Sequence, residues 1–184
     1  MRLVEELPLQ AFNLNDFSEF DEVDVEETGS TFHQNAKLKA EFFANKTGLL
    51  TVADDSGLEV EALEGFPGVA SKRWLSGTDQ ERSLALLKKL ESQSNWQARF
   101  VSVLCLHDPQ QKTEKYFEGE VQGRIAKEIR GEQGFGYDPV FIPEGYDKTF
   151  GELSVNVKNQ LSHRARAFAK LKKYLREELV STKP

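Results

Sequence analysis

The stretch Leu49–Leu58 constrains this chain more than any other. A mostly apolar run, Leu49-Leu50-Thr51-Val52-Ala53, meets two adjacent aspartates, Asp54-Asp55, and then Ser56-Gly57. Apolar on both faces, the run reads as a strand in the middle of a sheet that stops at the carboxylates. Side chains alternate along a strand, so Asp54 and Asp55 point opposite ways: one faces a cleft while the other braces the turn. Two crowded carboxylates repel; a divalent cation or a hydrogen-bonding turn removes the conflict. Open α/β sheets bind ligands beyond the carboxyl ends of their strands, which makes this dipeptide a candidate site. A capped turn without a ligand explains it equally well.

The flanking segments define the fold class. Thr31 and Gln34 form a capping box, and Phe32, Ala36, Ala40 and Phe43 share the face of a helix ended by Gly48. Beyond Gly57, Leu58, Val60 and Ala62 alternate with Glu59 and Glu61, the period of a half-buried strand. Gly65-Phe66-Pro67-Gly68 is a turn. Thr78 and Glu81 cap a second helix that carries Leu84, Leu87 and Leu90. Trp96–Leu106 reads as a strand, Asp108-Pro109 as a turn, and Lys115–Ile125 as a pair of strands or one bent strand. Gly131–Asp138 is a glycine-rich loop before a short strand, Pro139–Pro143. A last helix begins near Ser162, with Ala167, Phe168, Leu171, Tyr174 and Leu175 on one side. Pro8–Leu14 reads as extended, and Asp16–Glu27 as a solvated acidic loop. Strands interleaved with helices predict an α/β fold.

Composition excludes several function classes. The chain has 184 residues, 39% hydrophobic and 29% charged, with a net charge of −6. That length suits one domain or two lobes on a shared sheet. The acidic balance argues against a protein that wraps a nucleic-acid duplex, leaving room for a local basic patch on a small anion. Cys105 is the single cysteine, within the apolar run Val101–Leu106, and reads as a buried packing residue. No apolar stretch is long enough for a membrane span, and Met1–Glu6 lack the order of a signal peptide, so a soluble cytoplasmic protein is expected.

Three further groups are candidates for chemistry. Glu26 and Glu27, before Thr28-Gly29, offer a second oxygen ligand for magnesium, which takes few carboxylates plus waters and phosphates; a solvated acidic pair is the alternative. In Gly134-Phe135-Gly136-Tyr137-Asp138, aromatic faces on flexible backbone suit a planar base; a turn with core aromatics is the plainer reading. The glycine spacing matches neither a dinucleotide fingerprint nor a P-loop. Lys158 and Ser162-His163-Arg164 place cations at a helix start, where they are disfavoured unless an anionic or base-edge ligand shares the site; pairing with nearby acids is the alternative. His33 and His107 show no partner pattern.

Taken in order, these residues resemble the inosine triphosphate pyrophosphatase family, in its bacterial RdgB-type branch. The resemblance runs through Glu27-Thr28-Gly29 with Thr31-Phe32, Asn35-Ala36 with Leu38-Lys39-Ala40, and Ala53–Leu58. It continues through Pro67-Gly68-Val69, Ser71, Arg73-Trp74, Phe117-Glu118-Gly119 with Gly123, Gly134–Pro139 and Ser162-His163-Arg164. It implies one domain over 1–184: a twisted mixed central sheet flanked by helices, in two lobes with a cleft between them. It also implies magnesium-dependent hydrolysis of ITP, dITP and XTP to the monophosphate and pyrophosphate, by a cytoplasmic homodimer. Residue by residue, Asp55 is the implied proton acceptor and metal ligand, and Glu26 the second metal ligand, with Glu27 close enough to be confused with it. Ser56, Phe135, Gly136, Tyr137, Asp138, Lys158, His163 and Arg164 are the implied substrate contacts. A cationic His163 or Arg164, or a backbone N–H of the Phe135–Asp138 loop, would select the carbonyl at the purine six position. The family opens with a strand and a Ser/Thr-x-Asn-x-x-Lys phosphate loop that nothing here matches. Met1–Leu7 resembles the middle of the following helix, so the domain is expected to be N-terminally incomplete. A non-catalytic nucleotide-binding or oligomer-forming relic is the alternative function, and a Nudix-type hydrolase a weaker one.

Overall fold

The computed structural model describes residues 9–20 and 22–181. The expectations for Met1–Leu7 lie outside them. Among the described residues, four α-helices and four strands follow in the order α1 (Phe32–Thr47), β1 (Thr51–Val60), α2 (Asp79–Leu90), β2 (Gln97–Asp108), β3 (Thr113–Ile125), β4 (Phe141–Pro143), α3 (Val155–Leu161) and α4 (His163–Ser181). The sheet has spatial order β1-β2-β3-β4 and is antiparallel at every described pairing. Helices cover both faces, which is the α/β arrangement expected, although the sheet is not mixed in direction.

β1 departs from its expected form in two ways. It does not stop at the aspartates: Asp54, Asp55, Ser56 and Gly57 stay in register with Leu104, Val103, Ser102 and Val101 of β2, and the strand runs on to Val60. It is also an edge strand among the described residues rather than a central one. Leu49, Leu50 and Val52 are correspondingly exposed. Lys115–Ile125 belongs to one continuous strand, β3. The acidic segment before α1 holds two 3-10 turns, Leu14–Asp16 and Ser18–Phe20, and buries Phe20.

The two helix starts form as the sequence dictates. Thr31 accepts from Gln34 N, and Thr78 and Glu81 make the full reciprocal box. Gln34 Oε1 turns to Ser30 N instead of closing the first box. In α2 the buried leucines are Leu86 and Leu90, while Leu84 is exposed. Leu87 and Leu90 pack on the core as expected, and Leu86 rather than Leu84 joins them.

Long strands carry three apolar clusters. At one end α1 packs Phe32, Ala36 and Ala40 on Val101, Val103 and Cys105. On the opposite face α4 packs Ala167 and Leu171 on Leu104, Leu106 and Phe117. At the other end Leu58, Val60, Leu86, Leu90, Phe100, Tyr137, Phe141 and Phe150 form a separate cluster. Cys105 is buried under α1 as a packing residue, its thiol pushed up to about 11 by burial. Between the cores lies a belt of small and polar residues: Ser56 pairs with Ser102, which pairs with Gly119. A Cβ at Gly119 would sit 2.1 Å from His163 O, so the missing side chain is what seats the start of α4 on the sheet.

Candidate active site

Alternation sends the two aspartates to opposite faces, as expected. On the α4 face, Asp54 Oδ2 accepts from Arg164 Nε at 2.9 Å. Its Oδ1 accepts from Ser102 Oγ at 2.6 Å and Ser56 Oγ at 2.7 Å. Burial raises the proton affinity of Asp54, but Arg164 and the two hydroxyls outweigh it and hold the carboxyl below its ordinary range. Asp54 is therefore a permanent anion that anchors Arg164.

Asp55 has the opposite fate on the α1 face. It is 6% exposed, and burial pushes its carboxyl up; Lys39 opposes the shift and Glu27 adds to it. Lys39 Nζ donates to Asp55 Oδ1 at 3.1 Å and also to Glu27 Oε1. Asn35 lies alongside and favours the carboxylate, yet neither Asn35 Nδ2 nor Asp55 Oδ2 has a hydrogen-bond partner. Arg73 closes the row, donating to Glu27 Oε2 and, at 3.3 Å, to Glu27 O. Burial raises Glu27 as well, but Lys39 and Arg73 prevail and lower it. Two acids and two cations thus alternate along one line.

Glu27, not Glu26, stands opposite Asp55. Glu26 is exposed, and its backbone carbonyl accepts from Thr28 N. The two neighbours are indistinguishable in sequence because only the path of the chain into α1 decides which one turns inward. Glu27 with the unpartnered Oδ2 of Asp55 fits a hard divalent cation, which takes oxygen donors and completes its shell with waters and phosphate. Among the described residues no three of His, Cys, Asp and Glu converge on a common point.

The aromatic–glycine loop gathers with Lys158, His163 and Arg164 on the other face. Phe135 is 59% exposed. Lys158 Nζ lies 4.7 Å and the Arg164 guanidinium carbon 5.2 Å from its ring centroid, within cation–π range. Lys158 Nζ donates to Asp138 Oδ2. Burial pushes the Asp138 carboxyl up against the pull of Lys158. Tyr137 is buried; its hydroxyl donates to Ser71 O at 2.9 Å and accepts from Trp74 Nε1 at 2.6 Å.

Two expectations for this loop change. Its backbone N–H groups are largely committed: Phe135 N donates to Asp138 Oδ2, Gly136 N to Asp79 Oδ2 and Asp138 N to Phe135 O. His163 is not a cation. It stacks on Phe100 at 4.7 Å and 11°, and burial, then Arg164, lowers it to about 3. Arg164 is left as the charged donor that reaches both Phe135 and Asp54.

The turn that follows β1 ties the two faces together. Pro67 bridges to Glu59, and Ser71 Oγ accepts from Leu58 N, so Gly65–Trp74 wraps the open edge of β1. Its Arg73 reaches Glu27 on one face, and its Ser71 and Trp74 hold Tyr137 on the other. A Cβ at Gly57 would meet Gly68 O at 2.4 Å, so this wrap needs glycine there. Asn35, Lys39, Arg73, Trp74 and Asp79 are the site residues that sequence reasoning left without a role. Their signal was faint, since each reads as an ordinary helix or turn residue until the faces are assembled. Two hollows, of about 640 Å³ beside Trp96 and Arg124 and about 560 Å³ beside Phe12 and Leu50, lie away from this charged line.

The Ham1 family profile matches residues 2–174, nearly the whole described chain. The chain belongs to the Ham1 family. A dITP/XTP pyrophosphatase of Deinococcus deserti is 50% identical over 147 residues, 79% of this chain and 70% of the relative. Another, from a Synechococcus strain, is 46% identical over 182 residues, 99% of this chain and 85% of the relative. Among solved structures, a HAM1 protein from Coxiella burnetii superimposes with a TM-score of 0.88 at 39% identity, covering 95% of this chain and 90% of its own. The Ham1 protein of Staphylococcus aureus gives 0.81 at 44% identity, covering 85% and 82%. Both overlays bear out the α/β fold expected of a Ham1 protein. No helix among the described residues is long and apolar enough to cross a membrane.

Proposed function

We propose that this chain hydrolyses non-standard purine nucleoside triphosphates, with ITP, dITP and XTP as its substrate class, to the monophosphate and pyrophosphate. The observation that carries the reading is the division of labour between neighbours on β1. Asp54 is locked to Arg164 on the face that offers an exposed aromatic ring, and Asp55 is buried beside Lys39 and Glu27 on the face that offers charge. The dITP/XTP pyrophosphatase relatives supply the reaction class. A nucleotide lying across the β1 edge places its base against Phe135 and its phosphates against Lys39 and Arg73.

Asp55 and Glu27 would hold magnesium, which would neutralise charge on the phosphate oxygens. Asp55 takes the proton of the water that attacks the α-phosphorus, and burial, which raises its proton affinity, favours that transfer. The bond from the α-phosphorus to the bridging oxygen breaks, and pyrophosphate leaves. Ser56 supports Asp54, and Asp138 supports Lys158. Arg164, with Nε spent on Asp54, presents its remaining N–H groups to the six-position carbonyl that inosine and xanthine share. A cytoplasmic homodimer belongs to the same reading, and sedimentation of the purified chain checks its oligomeric part.

The test is pyrophosphate release from ITP with magnesium. Asp55→Asn should lower kcat by about a hundredfold or more. Unchanged turnover would remove Asp55 from the mechanism, and a wild-type chain that binds ITP without cleaving it would favour a non-catalytic binder.

A further inference from the structure

The ammonium of Lys39 sits between the two carboxylates proposed to hold the metal. Its Nζ contacts Oε1 of Glu27 and Oδ1 of Asp55, the same two side chains that fit a divalent cation. Lys39 is part-buried, with 20% of its side chain exposed. The second oxygen of Asp55 is buried and without a partner. Arg73 holds the far oxygen of Glu27, so the carboxylates stay facing each other when no metal is present.

We infer that Lys39 is a built-in competitor for the metal, holding Glu27 and Asp55 together in the free chain and released when a divalent cation takes them. This inference rests on the proposed metal role of Glu27 and Asp55, and it assigns Lys39 a positioning task. Two acids this close repel when both are ionised, and the ammonium offsets that repulsion. A divalent cation offsets it more strongly, so the two ions compete for the same pair of carboxylates. Once displaced, the ammonium is an unpaired charge at the site, and a triphosphate is the partner that satisfies it. Metal and triphosphate therefore favour each other's binding, and the coupling is reciprocal.

The sign of the effect separates this role from a plain phosphate contact. Removing a phosphate-binding lysine leaves metal affinity unchanged when no nucleotide is present, whereas removing a competitor raises it. The measurement is Mn2+ binding to the purified chain without nucleotide, followed by electron paramagnetic resonance. Lys39→Met should bind Mn2+ about tenfold tighter than wild type. Lys39→Gln should follow it, which guards against a folding defect peculiar to one variant. Lys39→Arg keeps the charge and should stay within about twofold of wild type. Binding that Lys39→Met and Lys39→Gln leave unchanged or weaken would overturn the inference alone. Absence of Mn2+ binding from every chain would overturn the metal reading and this inference with it. Asp55→Asn should lose the site in either background, and tight binding in that variant would place the metal elsewhere.

Discussion

At the scale of the residue, burial changes meaning with the partner that comes with it. Asp54 and Asp55 are neighbours of identical chemistry, yet one is driven below and the other above its ordinary range. Arg164 and two hydroxyls accompany Asp54, while Asp55 keeps an unpartnered oxygen. His163 shows the same rule with a testable sign. Its ordinary value of 6.5 falls to about 3 in the fold, because burial disfavours the imidazolium. Between those values the unfolded chain binds a proton that the folded chain does not, so stability drops as pH falls through that window. From pH 7 to pH 5 this group alone costs about 2 kcal/mol. His163→Gln should lose correspondingly less stability than wild type over that interval in urea titrations. Equal slopes would mean the imidazole is charged or exposed in the native state.

At the scale of the element, helix termini aim the site. α2 begins at Asp79, whose carboxylate accepts from Gly136 N at 2.6 Å and from Arg82 Nη2 at 2.6 Å. The start of α2 thereby clamps the loop that presents Phe135. Asp79→Ala removes a charge-assisted bond and should raise KM for ITP about tenfold, with a smaller change in kcat. Steady-state kinetics decides it, and a fall in kcat alone would place Asp79 with the reacting groups. α4 depends on the gap at Gly119, where a Cβ would come 2.1 Å from His163 O and 2.4 Å from Ala167 N. Gly119→Ala should cost about 1–3 kcal/mol in chemical denaturation and displace Arg164 from Asp54. A variant of native stability would show that α4 shifts freely on the sheet.

At the scale of the whole molecule, three apolar clusters share long strands, and the proposed site lies beside the polar belt of Ser56, Ser102 and Gly119 on them. Binding there should stabilise the folded chain as a unit. Magnesium with pyrophosphate at about a hundred times the dissociation constant adds about 2.7 kcal/mol. At this chain length that is a rise of roughly 5–10 °C in Tm. Calorimetry with and without the pair tests it, and Asp55→Asn should show little of the rise. A full rise in that variant would move the pyrophosphate and its metal away from Asp55.

The sequence by itself determined the local features. Caps at Thr31 and Thr78, the turn at Gly65–Gly68, the alternation at Leu58–Val60 and the opposed aspartates are all set by neighbours a few residues apart. Local sterics and hydrogen bonds need no distant partner, which is why they are legible. The ordered motifs also pointed to the family, which the Ham1 profile bears out. Tertiary structure alone decided that β1 runs through its aspartates at a sheet edge, that Glu27 rather than Glu26 turns inward, and that His163 stays neutral. Each of those depends on groups far away in the chain, such as Lys39, Arg73 and Phe100, whose approach fixes burial and charge at once. A pattern of residue types records which side chains are available, and only packing determines which of them share one low-dielectric space.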